Sequence, residues 1–208
     1  MINYLSQQNP EIFHDKKVLV RLDLNVPITD GNVLTTDASR IHASLPTLRF
    51  LQDAGARITI ISHIGRKPEE TLDPVIDYLS GVISLDAVTI LPNLRSNPGE
   101  ELNDTVFAQS LCEGQDYYIN DAFAVSHRAH ASVVGVPTLM GHERCFAGFQ
   151  LEHEIEFLNK ALHPASPSLL IMGGAKFETK LPVIETLLPL VDHIIIGGAL
   201  LNNFLKSS

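Results

Sequence analysis

Two cysteines in 208 residues, Cys112 and Cys145, make no disulfide framework, and neither stands in a Cys-x-x-Cys or Cys/His pattern that would hold a metal. They read as reduced thiols in a reducing compartment. Lysine- and arginine-rich runs are also missing, and the formal net charge is −9. Nucleic acid is therefore not an expected partner, because its phosphate backbone calls for a basic stripe. No apolar run approaches the ~20 residues that span a bilayer. The N-terminal MINYLSQQNPEIF carries neither the basic region nor the apolar core of a secretory leader. No membrane partner is expected, and the cytoplasm is the expected location. What remains is an ordinary globular composition, 45% hydrophobic and 19% charged, long enough for one large domain or two modest ones.

Apolar, β-branched runs recur at VLVRLDLNV (18–26), RITIIS (57–62), AVTILPN (87–93), DYYIND (116–121), LLIMGG (169–174) and HIIIGGA (193–199), and they predict strands. Helical periodicity fills the gaps at 41–51, 75–79, 105–111 and 183–190. This alternation implies an α/β chain, a Rossmann-like parallel sheet with helices on both faces. The segment LEHEIEFLNKALH (151–163) predicts a strong helix: Leu151, Ile155, Leu158 and Leu162 form one stripe, with glutamates crowding its start and Lys160 and His163 its end. PASPS (164–168) then reads as a boundary. The expected organisation is a first domain at 1–150, a connecting helix and linker at 151–167, and the first two strand-helix units of a second α/β domain at 168–208.

Polar residues collect where the predicted strands end. Asp23 and Asn25 close the first, SHIGR (62–66) the second, Arg95 follows the third, Arg128 the fourth, and GGAK (173–176) the fifth. Ligands of open α/β sheets bind outside that edge. Of eight arginines, Arg66, Arg95 and Arg128 lie just past strand ends, and Arg40 lies near the start of the next helix. Guanidinium groups gathered in an acidic chain suit a small, highly charged anion, because each planar fork takes a carboxylate or phosphate bidentately. Taken singly, each element also has a structural reading. Asp23 reads as a cap, Gly65 as turn punctuation, His63 as a hydrogen-bonded core histidine, and Arg95 as a surface partner of Glu100 or Glu101. Arg128 reads as part of a solvated helix start, and GGAK, which lacks the full P-loop spacing, as a tight turn.

Five segments, taken in order, resemble the phosphoglycerate kinase family. They are VLVRLDLNVP, SRIHASLPTLRFLQDAGARITIISHIGR, NDAFAVSHRAHASVVG, AGFQLEHEIEFLNKAL, and IMGGAKFETKLPVIETLLPLVDHIIIGGALLNNFLK. The resemblance implies reversible phosphoryl transfer between 1,3-bisphosphoglycerate and ADP, giving 3-phosphoglycerate and ATP. It further implies Mg2+ with the nucleotide, a monomer, and hinge closure of two lobes. Carried across residue by residue, it makes Asp23 and Asn25 contacts of the substrate's hydroxyl and carboxylate end. Arg40 becomes the catalytic arginine, and His63, Arg66, Arg95 and Arg128 hold the phosphate that is not transferred. Lys176 meets the transferring phosphate, with Gly174 and Lys180 also on the nucleotide. Metal and adenine contacts are expected beyond this chain, so the isolated chain is expected to be weak or inactive. The alternative is a truncated relative that only binds phosphoglycerate. The chain departs from the family between DYLSG and DAVTILPN, where a strand and helix are reduced to a few residues. It also has Pro92 and Ser96 in place of the family's glutamate and phenylalanine, and AVS at 124–126 in place of Gly-Thr-Ala.

Overall fold

A computed structural model describes residues 2–174 and 177–201. The chain divides into two compact units, Met1–Glu154 and Ile155–Ser208. The first unit is built on β1 (Lys17–Leu22), α1 (Ser39–Asp53), β2 (Arg57–Ile61), α2 (Asp73–Ser80), β3 (Val88–Ile90), α3 (Thr105–Cys112), β4 (Tyr117–Asp121), α4 (Val136–Met140) and β5 (Cys145–Ala147). Its five strands are all parallel, in the order β3-β2-β1-β4-β5. The chain winds outward from β1 in one direction and then, from β4, in the other. The switch point of this doubly wound sheet therefore lies between β1 and β4.

Strand β1 sits at the centre and is buried on both faces, as its unbroken apolar run requires. Alternation along the strand sends Val18, Val20 and Leu22 into one core, with Ile58, Ile60 and the buried side of α1 and α2. Leu19 points into the other core, with Tyr118, Ala108 and Leu111 of α3, and Val136 and Met140 of α4. Helices thus cover both faces, as the alternation of elements implied. The first core is closed at its amino edge by Phe13, whose ring meets those of Tyr117 and Phe146 edge-on at 5.3 and 5.7 Å.

Three differences from the sequence reading have physical causes. First, the initial strand ends at Leu22 instead of running to residue 26. Ser62 Oγ accepts from Leu24 N–H at 3.1 Å and Val26 N–H turns back to Leu24 O at 2.9 Å, so the backbone leaves the sheet. Second, β5 is an additional strand of only three residues, too short to show a period. It is held by β4 and by Ala147 N–H donating to Asn3 O at 2.8 Å. Third, a π-helical turn over Ala131–Gly135 leads into α4 where no helix was expected. No described helix is long and apolar enough to cross a membrane.

Helix α5 (Phe149–Leu162) begins in the first unit and the division falls within it. The second unit contains β6 (Leu169–Met172), α6 (Phe177–Leu187) and β7 (His193–Ile196), with β6 and β7 parallel. Helix α6 begins six residues before the expected start at Val183, and residues 188–190 tighten into a 3-10 turn. Pro182 lies inside α6. Proline interrupts a periodic pattern read from sequence, which explains the late expected start.

Candidate functional site

The carboxyl ends of β1, β2 and β4, with the turn after β3, form one polar edge. Just past β1, Asp23 accepts from Arg40 Nη1 at 3.1 Å, and the same nitrogen donates to Asn25 O at 3.1 Å. Asp23 also accepts from Asn25 N–H at 3.3 Å, so it is both a turn former and the partner of the arginine at the start of α1. Asp23 and Arg40 line a cleft of about 170 Å³ at the β1–β4 switch point, together with Ser44, Asp121, Phe123 and Gln150. A shallower opening of about 490 Å³ on the other side of Arg40 is lined by Asn25, Thr36 and Ser39.

The loop after β2 is tied to this edge through its backbone. Gly65 N–H donates to Asn25 Oδ1 at 2.9 Å, and Gly65 adopts φ +62°, a left-handed conformation that glycine takes without strain. The next two amides, of Arg66 and Lys67, both donate to Glu70 Oε2 at 2.7 Å. Those two bonds hold the Glu70 carboxyl below the usual range. Asn93 fastens the loop from the other side. Its Nδ2 donates to Ile64 O and Glu70 O, while its Oδ1 accepts from the amides of Ile64 and Arg95. One buried amide side chain therefore sets both the SHIGR loop and the turn that carries Arg95.

Beneath these loops lies a charged network out of water. Arg21 is 1% exposed, on the same face of β1 as Leu19. Its guanidinium donates to Ser132 Oγ at 3.1 Å, to Leu22 O, to Ser62 Oγ at 3.4 Å and to His63 Nδ1 at 3.0 Å. Its counter-charge is Glu100, also 1% exposed, which accepts from Ser132 N–H at 2.9 Å and Ser132 Oγ at 2.6 Å. Glu100 Oε1 stands 3.6 Å from His130 Nδ1, and Tyr118 OH donates to Ser132 O at 2.6 Å. Burial, then the charges of Arg21, Arg95 and Arg128, push the His63 imidazole down to about 3. The segment with Arg128 is pinned at both ends: Ser126 Oγ donates to Ala122 O at 3.0 Å, and Ala131 N–H donates to Glu100 O at 2.8 Å.

A second buried carboxylate closes the floor of the cleft. Asp121, at the end of β4, accepts from Gln150 N–H at 2.8 Å and Leu151 N–H at 3.0 Å through Oδ1, capping the first turn of α5. Its Oδ2 is buried without a well-formed hydrogen bond among the described residues, and burial, opposed by Thr47 and the two amides, pushes the carboxyl up. A side chain at Gly148 would put its Cβ 2.4 Å from Asp121 Oδ1, so only glycine allows this approach.

Chemically, this edge offers guanidinium groups and a neutral imidazole that can take an anion bearing several oxygens, with a carboxylate and an amide beside them for hydroxyl groups. A family model described as phosphoglycerate kinase matches residues 9–208. The chain belongs to the phosphoglycerate kinase family. It is 43% identical to a phosphoglycerate kinase of Moorella thermoacetica, in a match covering 93% of this chain and 55% of the relative. Against that of Synechococcus elongatus it is 41% identical over 92% of this chain and 54% of the relative. Among solved structures, phosphoglycerate kinase from Coxiella burnetii matches with a TM-score of 0.87 and 34% identity, over all of this chain and 57% of that one. The chain spans about half the length of the phosphoglycerate kinases it matches. The Moorella alignment runs over 222 positions, more than the 208 residues here, so that relative has residues within the matched region that this chain lacks.

The residues expected to bind ligand fall into four groups. Asp23, Asn25 and Arg40 are in mutual contact. Arg95 and Arg128, with buried Arg21, gather around His63, close enough for all three arginines to act on the imidazole. Arg95 also pairs with Glu101 at 3.4 Å, the plainer of its two expected roles. Arg66 differs: its amide is anchored on Glu70 while the residue is exposed. In the second unit, Gly174 has φ +141°, and a Cβ there would lie 3.8 Å from Lys180 Cε. Lys176 lies outside the described residues. The sequence reading missed Arg21, Ser132 and Gln150, and it gave no site role to Ser62 and Asp121, which stand in its strand-end clusters, or to Glu100, which it read only as a partner of Arg95. Arg21 alone had a legible signal, since a charge inside a doubly buried strand must have partners.

Proposed function

We propose that the first unit is the phosphoglycerate-binding half of a phosphoglycerate kinase whose whole form transfers a phosphoryl group between 1,3-bisphosphoglycerate and ADP. The observation that carries this reading is the convergence of Arg95, Arg128 and buried Arg21 on uncharged His63, on the same sheet edge as Asp23, Asn25 and Arg40. His63, Arg95, Arg128 and the mobile-length side chain of Arg66 hold the phosphate that stays on the substrate. Asp23 and Asn25 orient its hydroxyl and carboxylate end. Arg40, half exposed on the rim of the cleft, reaches the carboxylate and the phosphoryl group in transfer. Such a transfer asks for little covalent work, so in-line positioning and neutralisation of oxygen charge supply most of the catalysis.

ATP or ADP is the second substrate, with Gly174, Lys176 and Lys180 as its phosphate contacts. Among the described residues no group of three or more His, Cys, Asp or Glu would hold the accompanying Mg2+, and no step is assigned to it. The 208-residue polypeptide assayed alone is expected to bind phosphoglycerate with little or no turnover, since much transition-state stabilisation comes from parts present in its longer relatives. A calorimetric titration of the folded chain with 3-phosphoglycerate tests the reading. Saturable binding that weakens with salt supports it, and the absence of binding overturns it.

A further inference from the structure

An arginine donates only, so the 3.0 Å contact between Arg21 Nη2 and His63 Nδ1 settles which ring nitrogen is bare. Nδ1 accepts, and the imidazole proton belongs on Nε2. Arg21 has little freedom to turn away, because Ser132 Oγ, Ser62 Oγ and Leu22 O take three more of its five N–H groups in a space where it is 1% exposed. Nε2 has no hydrogen-bond partner among the described residues. We propose that Arg21 is a positioning residue that holds His63 as a neutral imidazole protonated on Nε2, so that the histidine meets an anionic ligand as an uncharged donor.

The surroundings reinforce this geometry. The charged and titratable groups facing the ring are Arg21 from β1, Arg95 from the turn after β3, and Arg128 and His130 from the loop after β4. All four disfavour a second proton on the ring. The nearby acids are engaged elsewhere: Glu100 by Ser132 and beside His130, Glu70 by the amides of Arg66 and Lys67, Glu101 by Arg95 and Asp23 by Arg40. His130 is itself shifted down by burial. A histidine fixed in this way neither gains charge as pH falls toward 5 nor surrenders its proton to a bound phosphate. With phosphoglycerate as ligand, on the reading proposed above, the arginines then select the phosphate dianion, and affinity follows the second phosphate ionisation near pH 6.

Long-range 1H–15N spectra of the imidazole groups in the full 208-residue chain decide the matter, with the His63 signals assigned by their loss in His63→Gln. The expected result is a single neutral Nε2–H pattern from about pH 5 to pH 8. A protonation midpoint near the ordinary histidine value, or a proton on Nδ1, would overturn the proposal, since a protonated Nδ1 cannot accept from Arg21. Arg21→Met should free Nδ1, so that an Nδ1–H signal appears beside the Nε2–H one, and a folded variant that keeps the single Nε2–H pattern would also sink the idea. If that variant does not fold, the wild-type spectra still decide. Affinity for 3-phosphoglycerate, measured in a His127→Gln background, should rise about fourfold from pH 5.5 to 7.5. A fall over that range would mean that a charged histidine holds the phosphate. An intact Nε2–H pattern with no response to 3-phosphoglycerate would support the positioning and count against the phosphoglycerate reading, so the two fail separately.

Discussion

Arg21 and Arg40 stand at the two ends of one connection, from β1 into α1, and their surroundings differ in almost every respect. Arg21 is buried, bonded through four of its five N–H groups, and balanced by an equally buried glutamate. Arg40 has a side chain 48% exposed, leaning on Asp23 at 3.1 Å. The first arginine has no reach left for a ligand and acts through the residues it holds. The second has given little to the fold and keeps its reach. Within one cluster, the charges that shape a site and those that touch its ligand are thus separated by burial, and substitution should separate them again.

The largest effect is expected at the buried end. Arg21→Met leaves Glu100 as an uncompensated buried charge and takes the donor from Ser62, Ser132 and His63, so urea unfolding should show a loss of about 3–5 kcal/mol. A variant as stable as the parent would abolish the contrast. Gly65→Ala comes next. It forces a left-handed φ on a residue with a Cβ, and that Cβ would lie 2.0 Å from Glu70 Oε2. The strained backbone costs about 1–3 kcal/mol, and the carboxylate must leave the amides of Arg66 and Lys67, visible as faster hydrogen exchange at those two amides. Arg128→Ala should weaken 3-phosphoglycerate binding about tenfold with the unfolding midpoint unchanged, a loss near 1.4 kcal/mol. Unchanged affinity would remove Arg128 from the ligand-contacting class.

Acid sharpens the comparison. The Glu70 carboxyl is lowered in the folded chain, so its tie to the loop is present above the ordinary value of 4.5 and is lost as pH falls through the lowered one. Amide protection at Arg66 and Lys67 should persist through pH 4.5 and vanish only below it, whereas loss well above that pH would mean the carboxylate is not held. The smallest effect belongs to Arg40→Ala. Stability should stay within about 0.5 kcal/mol, as for other exposed ion pairs, and a large loss on thermal melting would place Arg40 among the structural charges.

Much of the fold was legible because β1, β2, β4, β6 and β7 are written largely in apolar residues, as burial demands of β1 and β2, although β6 and β7 alternate exposed and half-buried positions. What escaped was short or local. Strand β5 has three residues and depends on Asn3 from the far end of the unit, and the turn at Ala131–Gly135 depends on Glu100. In the candidate site, the arginines could be read because ligand-facing charges gather at strand ends. Ser62, Ser132 and Asn93 could not, since a small polar residue looks the same whether it faces water or supports a buried guanidinium. Asp121 was hidden for a related reason. Its importance lies in two amides about thirty residues downstream, which only the folded chain brings to it.

That carboxylate also has a mechanical meaning. The amides of Gln150 and Leu151 end on the same oxygen of Asp121, with Gly148 packed too tightly for any side chain between. The floor of the cleft and the first turn of α5 therefore share one anchor, a single carboxylate oxygen. A displacement of that oxygen is felt at once by both amides of the turn.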